Sequence, residues 1–86
     1  MPAVMCTVEH KSRATVVDVV IGYNLRNCRC ARGLSQQALA SGVGLTYQQL
    51  QKYEYGKSRI SASRLYEISR LLNVPYESFF IGLETR

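Results

Sequence analysis

Apolar residues recur along most of this chain with the spacing of an α-helix, and no useful length alternates with the two-residue period of a β-strand. The first periodic run puts four residues on one helical face: Val17, Ile21, Leu25 and Cys28. Asp18 suits the first turn of this helix, because a carboxylate is stabilised by the positive end of the helix dipole. Gly33 suits its C-terminal cap. The pattern predicts a helix that starts near Asp18 and ends before Gly33.

Two shorter helices are predicted next, joined by a turn at Gly44. Ser35 can cap the first of them by accepting a hydrogen bond from its free backbone amides. Thr46 can cap the second, and Gln49 follows three residues later with the spacing of a capping box. Glycine suits the turn because a positive φ angle there is less strained without a Cβ. The spacing predicts a helix-turn-helix, in which one helix braces and the next can enter the major groove of DNA.

Two further helices complete the pattern. The fourth can start at Ser61 or Ser63, and three of its residues form a buried stripe: Leu65, Ile68 and Leu72. Pro75 interrupts the helical pattern, since proline fits a first turn but not a helix interior. A last short helix is predicted from Tyr76 to about Gly82.

The predicted fold class is therefore all-α, a compact five-helix bundle with the helix-turn-helix at helices two and three. Residues 17–83 form the predicted domain, between an N-terminal tail over residues 1–16 and a C-terminal tail over residues 84–86. The chain has 86 residues, of which 47% are hydrophobic, so one small helical core is feasible without disulfide staples.

The net charge of +5 favours a polyanionic partner, and the charges are dispersed rather than gathered into a basic arm. Three cysteines, Cys6, Cys28 and Cys30, are an odd number without the spacing of zinc ligands, and His10 is the only histidine. We therefore expect reduced thiols, with Cys28 in the core, and no metal. No segment has the pattern of a membrane span or of a secretion signal, so we expect a cytoplasmic protein without a membrane partner.

The sequence offers no constellation for catalysis. One histidine, no carboxylates clustered beside a nucleophile and no phosphate-binding glycine loop leave no reaction to propose. We therefore expect that the protein is not an enzyme, that it needs no cofactor and that it has no evident small-molecule ligand.

Residues 21–80 resemble the Cro/repressor-type helix-turn-helix family of bacterial and phage regulators. The matching elements lie at consistent spacing: Ile21-Gly22, Leu25-Arg26, Arg29, Gly33-Leu34-Ser35-Gln36, Leu39-Ala40, Gly44-Leu45-Thr46, Leu50, Tyr53-Glu54, Gly56-Lys57, Leu65, Ile68, Leu72, Val74 and Phe80. The resemblance implies a lambda-repressor-like fold that binds double-stranded DNA, as a homodimer on inverted repeats.

The resemblance also implies which side chains face DNA. Those near the base edges are four residues at the third helix: Thr46, Tyr47, Gln48 and Lys52. Those that contact the DNA backbone or buttress the recognition helix are five: Gln36, Gln49, Lys57, Ser58 and Arg59. The side-chain carbonyl and NH₂ group of Gln48 can form two hydrogen bonds with adenine, and Lys52 can reach guanine or a phosphate. The alternative for each of these residues is an ordinary solvated side chain.

Two further groups of residues have implied roles. By resemblance Arg29 and Glu54 pair with each other, which would tie the first helix to the third. Near the C-terminus, four apolar residues offer a contact between two copies of the chain: Phe79, Phe80, Ile81 and Leu83. The alternative is that both phenylalanines close the core.

The function that follows is a sequence-specific transcriptional regulator, a repressor, which places helix 46–55 in the major groove of a pseudo-palindromic operator as a dimer. The alternative is a protein-binding regulator, such as an antitoxin or an anti-regulator, that uses the same fold. An amide-rich and basic outer face on the third helix favours DNA, and three residues give it that character: Gln48, Gln49 and Lys52.

Overall fold

The computed structural model of the chain describes residues 15–83. These residues form four α-helices: α1 (Val16–Ala31), α2 (Gln36–Gly42), α3 (Tyr47–Glu54) and α4 (Ala62–Leu72). A 3₁₀ turn follows over Tyr76–Phe80. No β-strand occurs within residues 15–83, so the predicted all-α class is confirmed for this part of the chain. Residues 1–14 and 84–86 lie outside it; of the N-terminal tail predicted over residues 1–16, Thr15 and Val16 are described, and they cap and begin α1.

The predicted count of five helices was wrong, because the last element is a short 3₁₀ turn. Pro75 precedes this turn in an extended conformation. The Ser78 amide bonds the Pro75 carbonyl at 2.9 Å, only three residues back, and Gly82 redirects the backbone with a φ of 99°. The short stretch between a proline and a turn glycine leaves room for one tight turn rather than for an α-helix.

The first helix begins earlier than the predicted start near Asp18, because Thr15 caps it. Thr15 Oγ1 accepts a hydrogen bond from the Asp18 amide at 3.4 Å, and the Asp18 carboxylate accepts one from the Thr15 amide at 2.7 Å. Asp18 is thus the third residue of the helix, and the two residues form a reciprocal capping box.

The buried face of α1 differs from the apolar stripe that the sequence suggests. Its buried residues are Asp18, Gly22, Asn24, Leu25 and Arg29. By contrast, Val17 is 46% exposed, so its predicted inward position was wrong. Ile21 and Cys28 are partly buried at the edge of the core. Polar side chains occupy inward positions on this helix because each has hydrogen-bonding partners there, which a hydrophobic pattern does not register.

Within the described residues, the buried apolar side chains form one core: Leu25, Leu39, Ala40, Leu50, Leu65, Ile68, Leu72 and Phe79. Helix α3 packs on α1 and α2, whereas α4 packs on α2 and on the 3₁₀ turn. The 3₁₀ turn also packs on α1. There the side-chain Nδ2 of Asn24 donates to the backbone carbonyls of Phe79 and Ile81, both at 2.8 Å. No described helix has the length and apolar character needed to cross a bilayer.

Gly22 sets the distance between α1 and the end of α3. A Cβ added at this position would collide with the backbone carbonyl oxygen of Tyr53 and would lie 2.9 Å from that of Glu54. The two helices therefore meet backbone to backbone, which holds the C-terminal end of α3 directly against α1.

Candidate nucleic-acid interface

Gly44 makes the turn that separates α2 from α3. It adopts a φ of 72°, in the left-handed region that favours glycine. The Leu45 amide bonds the Ala40 carbonyl at 2.8 Å, and the Gly44 amide bonds the Ser41 carbonyl at 3.3 Å. This is the Schellman arrangement, which ends a helix and satisfies its last carbonyls. The predicted turn is confirmed.

The starts of the two helices are also as predicted. Ser35 Oγ accepts a hydrogen bond from the Ala38 amide at 3.0 Å, and Thr46 Oγ1 accepts one from the Gln49 amide at 3.0 Å. The Thr46 bond is one half of the capping box predicted there. Each cap satisfies a backbone amide that has no partner inside the helix, so both short helices have defined first residues.

Helix α3 has a buried side and an outer side. Leu50 and Glu54 are its buried residues. The four residues predicted to face base edges are all exposed: Thr46, Tyr47, Gln48 and Lys52. Gln49 is half-buried. The outer side of α3 therefore presents hydroxyl, amide and ammonium groups to solvent.

One polar residue of α3, Gln51, was not among the predicted site residues. Its Nε2 donates to the hydroxyl of Tyr47 across 3.4 Å. The signal for this contact was the spacing of four residues, which places two side chains on one helical face. The contact joins the hydroxyl of Tyr47, which is predicted to face base edges, to Gln51 in the next turn of the same helix.

Arg29 and Glu54 form the ion pair that the resemblance implies. Arg29 Nε lies 2.6 Å from Glu54 Oε2, and Nη2 lies 3.0 Å from Oε1. Their side chains are 10% and 0% exposed. The hydrogen bond to Glu54 raises the pKa of Arg29, although burial acts in the opposite direction. Because the pair is bidentate and buried, it fixes the end of α3 on α1.

Gln36 reinforces the same carboxylate from α2. Its Nε2 donates to Glu54 Oε1 at 2.8 Å. Arg29 also donates from Nη1 to the Leu34 carbonyl at 2.8 Å, just before α2 begins. Glu54 is therefore the point at which α1, α2 and α3 are joined by polar contacts, and Gln36 lies where a buttress of α3 was predicted.

The segment after α3 carries the other residues predicted at the DNA backbone. Lys57 and Arg59 are exposed, and Ser58 is half-buried. Arg59 Nε lies 3.5 Å from Asp18 Oδ2, with half of the arginine side chain exposed (50%). The segment lies beside the first turn of α1, since a Cβ on Gly56 would lie 2.6 Å from the Val19 Cα. The two cationic side chains thus flank the C-terminal end of α3.

The apolar residues near the C-terminus have different environments. Phe79 is fully buried in the core, so it is not available for the predicted contact between two copies. Phe80 is half-buried, and its ring centroid lies 5.5 Å from that of Tyr76. Ile81 is 68% exposed, and Leu83 is half-buried. The alternative prediction, that phenylalanine closes the core, is confirmed for Phe79.

The cysteines offer no metal site in the part of the chain that the structure describes. Cys28 and Cys30 are free, and no group of three metal-ligating side chains occurs within residues 15–83. Burial raises the pKa of the Cys28 thiol, and the nearby Arg32 opposes that effect only in part. Cys6 and His10 lie outside the described residues.

The sequence model of the HTH_3 (helix-turn-helix) family matches residues 25–79, a span that contains α2, the turn and α3. The chain belongs to the HTH_3 family. An uncharacterized HTH-type transcriptional regulator of Sinorhizobium medicae is 44% identical over 73 residues, which cover 85% of this HTH_3 chain and 52% of that relative. The chain therefore spans about half the length of this curated relative.

Solved structures of regulators share the fold of this HTH_3 chain. The restriction-modification controller protein C.AhdI from Aeromonas hydrophila aligns with a TM-score of 0.70 at 30% identity, covering 73% of this chain and 96% of C.AhdI. SinR, a master regulator for biofilm formation solved in complex with DNA, aligns with a TM-score of 0.64 at 25% identity, covering 69% of this chain and 95% of SinR. The chain thus shares its helix-turn-helix family with relatives that are named as HTH-type transcriptional regulators.

Proposed function

We propose that this HTH_3 protein is a sequence-specific repressor that inserts helix 46–55 into the major groove of a pseudo-palindromic operator as a dimer. The observation that carries the proposal is α3, which is anchored through Leu50 and Glu54 while its outer side is polar and exposed. A helix held in this way offers fixed donors and acceptors to base edges. Occupying the operator excludes other proteins from the same DNA, which is why we propose repression.

The proposed base contacts come from four residues of this segment. Gln48 and Lys52 lie one turn apart, so they face the same stretch of groove. The Gln48 amide suits adenine, which offers a donor and an acceptor, and Lys52 suits the acceptors of guanine or a phosphate. Thr46 and Tyr47 lie at the start of the helix, where a hydroxyl can bond a base or a phosphate. The Tyr47 ring can also pack on a thymine methyl group.

The proposed backbone contacts surround the helix. Lys57, Ser58 and Arg59 follow its C-terminal end, and Gln49 is half-buried on its flank. Contacts to phosphates position a protein on the duplex without specifying its sequence. We assign Gln36 the buttress role, because its amide is bonded to Glu54 beneath α3.

We place the contact between two copies at the C-terminal apolar residues that remain accessible, namely Ile81, Leu83 and the exposed part of Phe80. Two copies related by a two-fold axis would present their α3 helices to half-sites about 34–36 Å apart. We locate this activity in the cytoplasm, where bacteria keep their DNA.

A second candidate function is that of a protein-binding regulator. The exposed apolar side chains of α1 favour it: Val16, Val19 and Tyr23. A cluster of this kind suits a protein partner better than a phosphate backbone. In that case the binding surface would lie on α1 rather than on α3.

Selection of binding sites from random duplex DNA tests the proposal. We expect an enriched inverted repeat and an affinity that falls steeply with salt, because each neutralised phosphate releases counterions. Lys52→Ala should change the enriched sequence. Arg70→Ala is the matched control, since it removes the same single charge from an exposed position on α4 and should leave the enriched sequence intact.

The selection also distinguishes the two candidate functions. Failure of the wild-type chain to enrich any sequence at low salt would contradict the DNA-binding proposal. Co-purification of a protein whose binding is lost on Tyr23→Ala would then support the second function.

A further inference from the structure

Arg64 of α4 reaches the turn between α2 and α3. Its Nη1 lies 2.5 Å from the carbonyl oxygen of Val43 and 3.0 Å from Glu67 Oε1. Val43 is the cap residue at the C-terminal end of α2. The guanidinium therefore binds the chain at the point where it leaves the bracing helix for the proposed DNA-facing helix.

This contact supplies a charge that α2 lacks. The helix has seven residues, and none of those in its last turn is basic. The C-terminal end of a helix carries partial negative charge on carbonyls without partners, which a cation stabilises. A hydrogen bond from an ionised donor is also stronger than one between neutral groups. Arg64 thus provides from α4 what the sequence of α2 does not.

A second contact joins the same two elements. A Cβ added to Gly42 would lie 2.7 Å from Leu71 Cδ1, so Leu71 covers the last residue of α2. Arg64 and Leu71 are seven residues apart and share one face of α4. The Arg64 amide is itself bonded to Ser61 Oγ at 3.1 Å, which fixes the backbone that carries the guanidinium. Two points on one helix face therefore hold the end of α2.

The position of α3 depends on these contacts because of how the helices pack. Helix α3 packs on α1 and α2, whereas α4 packs on α2 and the 3₁₀ turn. Besides the chain segment 55–61 and the shared apolar core, α4 is connected to α3 through α2 and the turn. We infer that Arg64 is a positioning residue for DNA recognition, whose bond to the Val43 carbonyl sets the angle at which α3 meets the groove. This inference rests on the proposed function.

Arg64→Met tests the inference, because it removes the charged guanidinium and keeps an unbranched stem close in length to the aliphatic part of arginine. Arg70→Met is the matched control: it makes the same charge change on α4, but Arg70 lies over the Tyr66 ring, 6.0 Å from its centroid, and not at the turn. Affinity is measured on the selected operator and on a random-sequence duplex over a range of salt concentrations. The temperature is kept where every variant is folded, as checked by its Tm.

We expect Arg64→Met to weaken operator binding by about 3- to 30-fold, the range typical of a substitution that acts on a site through other residues. Binding to the random duplex and the slope of log K against log salt should match the wild type. Arg64→Lys should restore part of the operator affinity, because an ammonium can donate to the same carbonyl. Arg70→Met should bind as the wild type does.

Two outcomes of the binding measurements would overturn the inference. A shallower salt slope in Arg64→Met would mean that Arg64 contacts a phosphate. An unchanged operator affinity, with or without a lower Tm, would mean that Arg64 has no positioning role. Failure of the wild-type chain to bind the operator is a different result, since it would remove the proposed function itself.

A measurement without DNA tests directly whether the bond from Arg64 to the Val43 carbonyl holds the turn. The Leu45 amide bonds the Ala40 carbonyl inside the turn, so its hydrogen exchange reports on turn opening. We expect faster exchange at Leu45 in Arg64→Met than in Arg70→Met. Equal rates in the two variants would show that Arg64 does not hold the turn.

Discussion

The side-chain amide of Gln36 donates a hydrogen bond to the carboxylate of Glu54 across 2.8 Å, joining the first residue of α2 to the last residue of α3. The same carboxylate receives two hydrogen bonds from Arg29 of α1. A fully buried charge is tolerated only with partners of this kind. The orientation of α3 therefore depends on a polar cluster beneath the helix as well as on the apolar core.

We expect Glu54→Gln to lower the free energy of unfolding by about 3–5 kcal/mol, because the buried Arg29 guanidinium then loses its counter-charge. Chemical denaturation measures the change. Glu67→Gln is the control, since it breaks an ion pair on α4 whose carboxylate side chain is more than half exposed (55%). That variant should lose less than about 1 kcal/mol. Equal losses in the two variants would contradict a structural role for the buried pair.

Gln48→Ala should weaken binding to the selected operator by about 1–3 kcal/mol and relax the preference at one base pair. The reason is that a glutamine amide pairs with adenine through two hydrogen bonds, which alanine cannot form. Gel-shift titration against operators with single substitutions measures both effects. Gln37→Ala, which removes an exposed glutamine from α2, should leave affinity and preference unchanged. A uniform loss over all operators would instead assign Gln48 to the DNA backbone.

Arg59→Ala should weaken binding to all sequences alike and reduce the slope of log K against log salt by about 1, since a phosphate contact carries no sequence information. The substitution also breaks the ion pair with Asp18. Asp18→Asn separates the two effects, because it breaks the same pair and keeps the arginine. If Asp18→Asn weakened DNA binding as much as Arg59→Ala, the ion pair rather than a phosphate contact would explain the loss.

Gly22→Ala should lower the free energy of unfolding by about 3 kcal/mol, because the added Cβ meets the backbone carbonyls of Tyr53 and Glu54. These carbonyls belong to the backbone of α3, so they can move only if the helix moves. Gly42→Ala is the comparison. There the added Cβ would meet the end of the Leu71 side chain, which can change rotamer. The better helix propensity of alanine offsets part of that smaller loss. Thermal unfolding of both variants measures the difference, and an equal loss would argue against a tight α1–α3 approach.

Cys28 should make stability fall at alkaline pH. Burial raises the pKa of its thiol, so the folded chain keeps a proton that the unfolded chain releases. This contribution is fully present below the pKa of an unfolded thiol, about 8.5, and it is lost as pH rises through the higher pKa of the folded state. The free energy of unfolding should therefore fall more between pH 7 and pH 10 for the wild type than for Cys28→Ala. Cys30→Ala, at an exposed position, is the control, and a matching effect of the two substitutions would exclude this explanation.

Local signals in the sequence predicted most of the helix-turn-helix. Ser35 and Thr46 cap the helices that they were expected to cap, and Gly44 makes the turn, because each acts on backbone groups within a few residues of itself. Leu50, one of the elements that carry the resemblance, lies on the buried side of α3. Such features need no knowledge of the distant parts of the chain.

Most features that depend on contacts between distant residues were missed; the Arg29–Glu54 pair is the exception, because the resemblance implied it. Asp18 is buried because Thr15 and Arg59 surround its carboxylate, and no hydrophobic pattern indicates that. The bond from Arg64 to Val43 joins residues that are far apart in sequence, so neither residue type suggested it. The last helix became a 3₁₀ turn because its length was limited by Pro75 and by the turn at Gly82.

The separation of the two sides of α3 has an evolutionary consequence. Only Leu50 and Glu54 of this helix are buried, so substitutions at Tyr47, Gln48 or Lys52 leave the core and the buried ion pair untouched. Gene duplicates of such a chain can diverge at these positions while both copies still fold. Under the proposed function, a small scaffold of this kind can therefore give rise to regulators of different promoters through very few mutations.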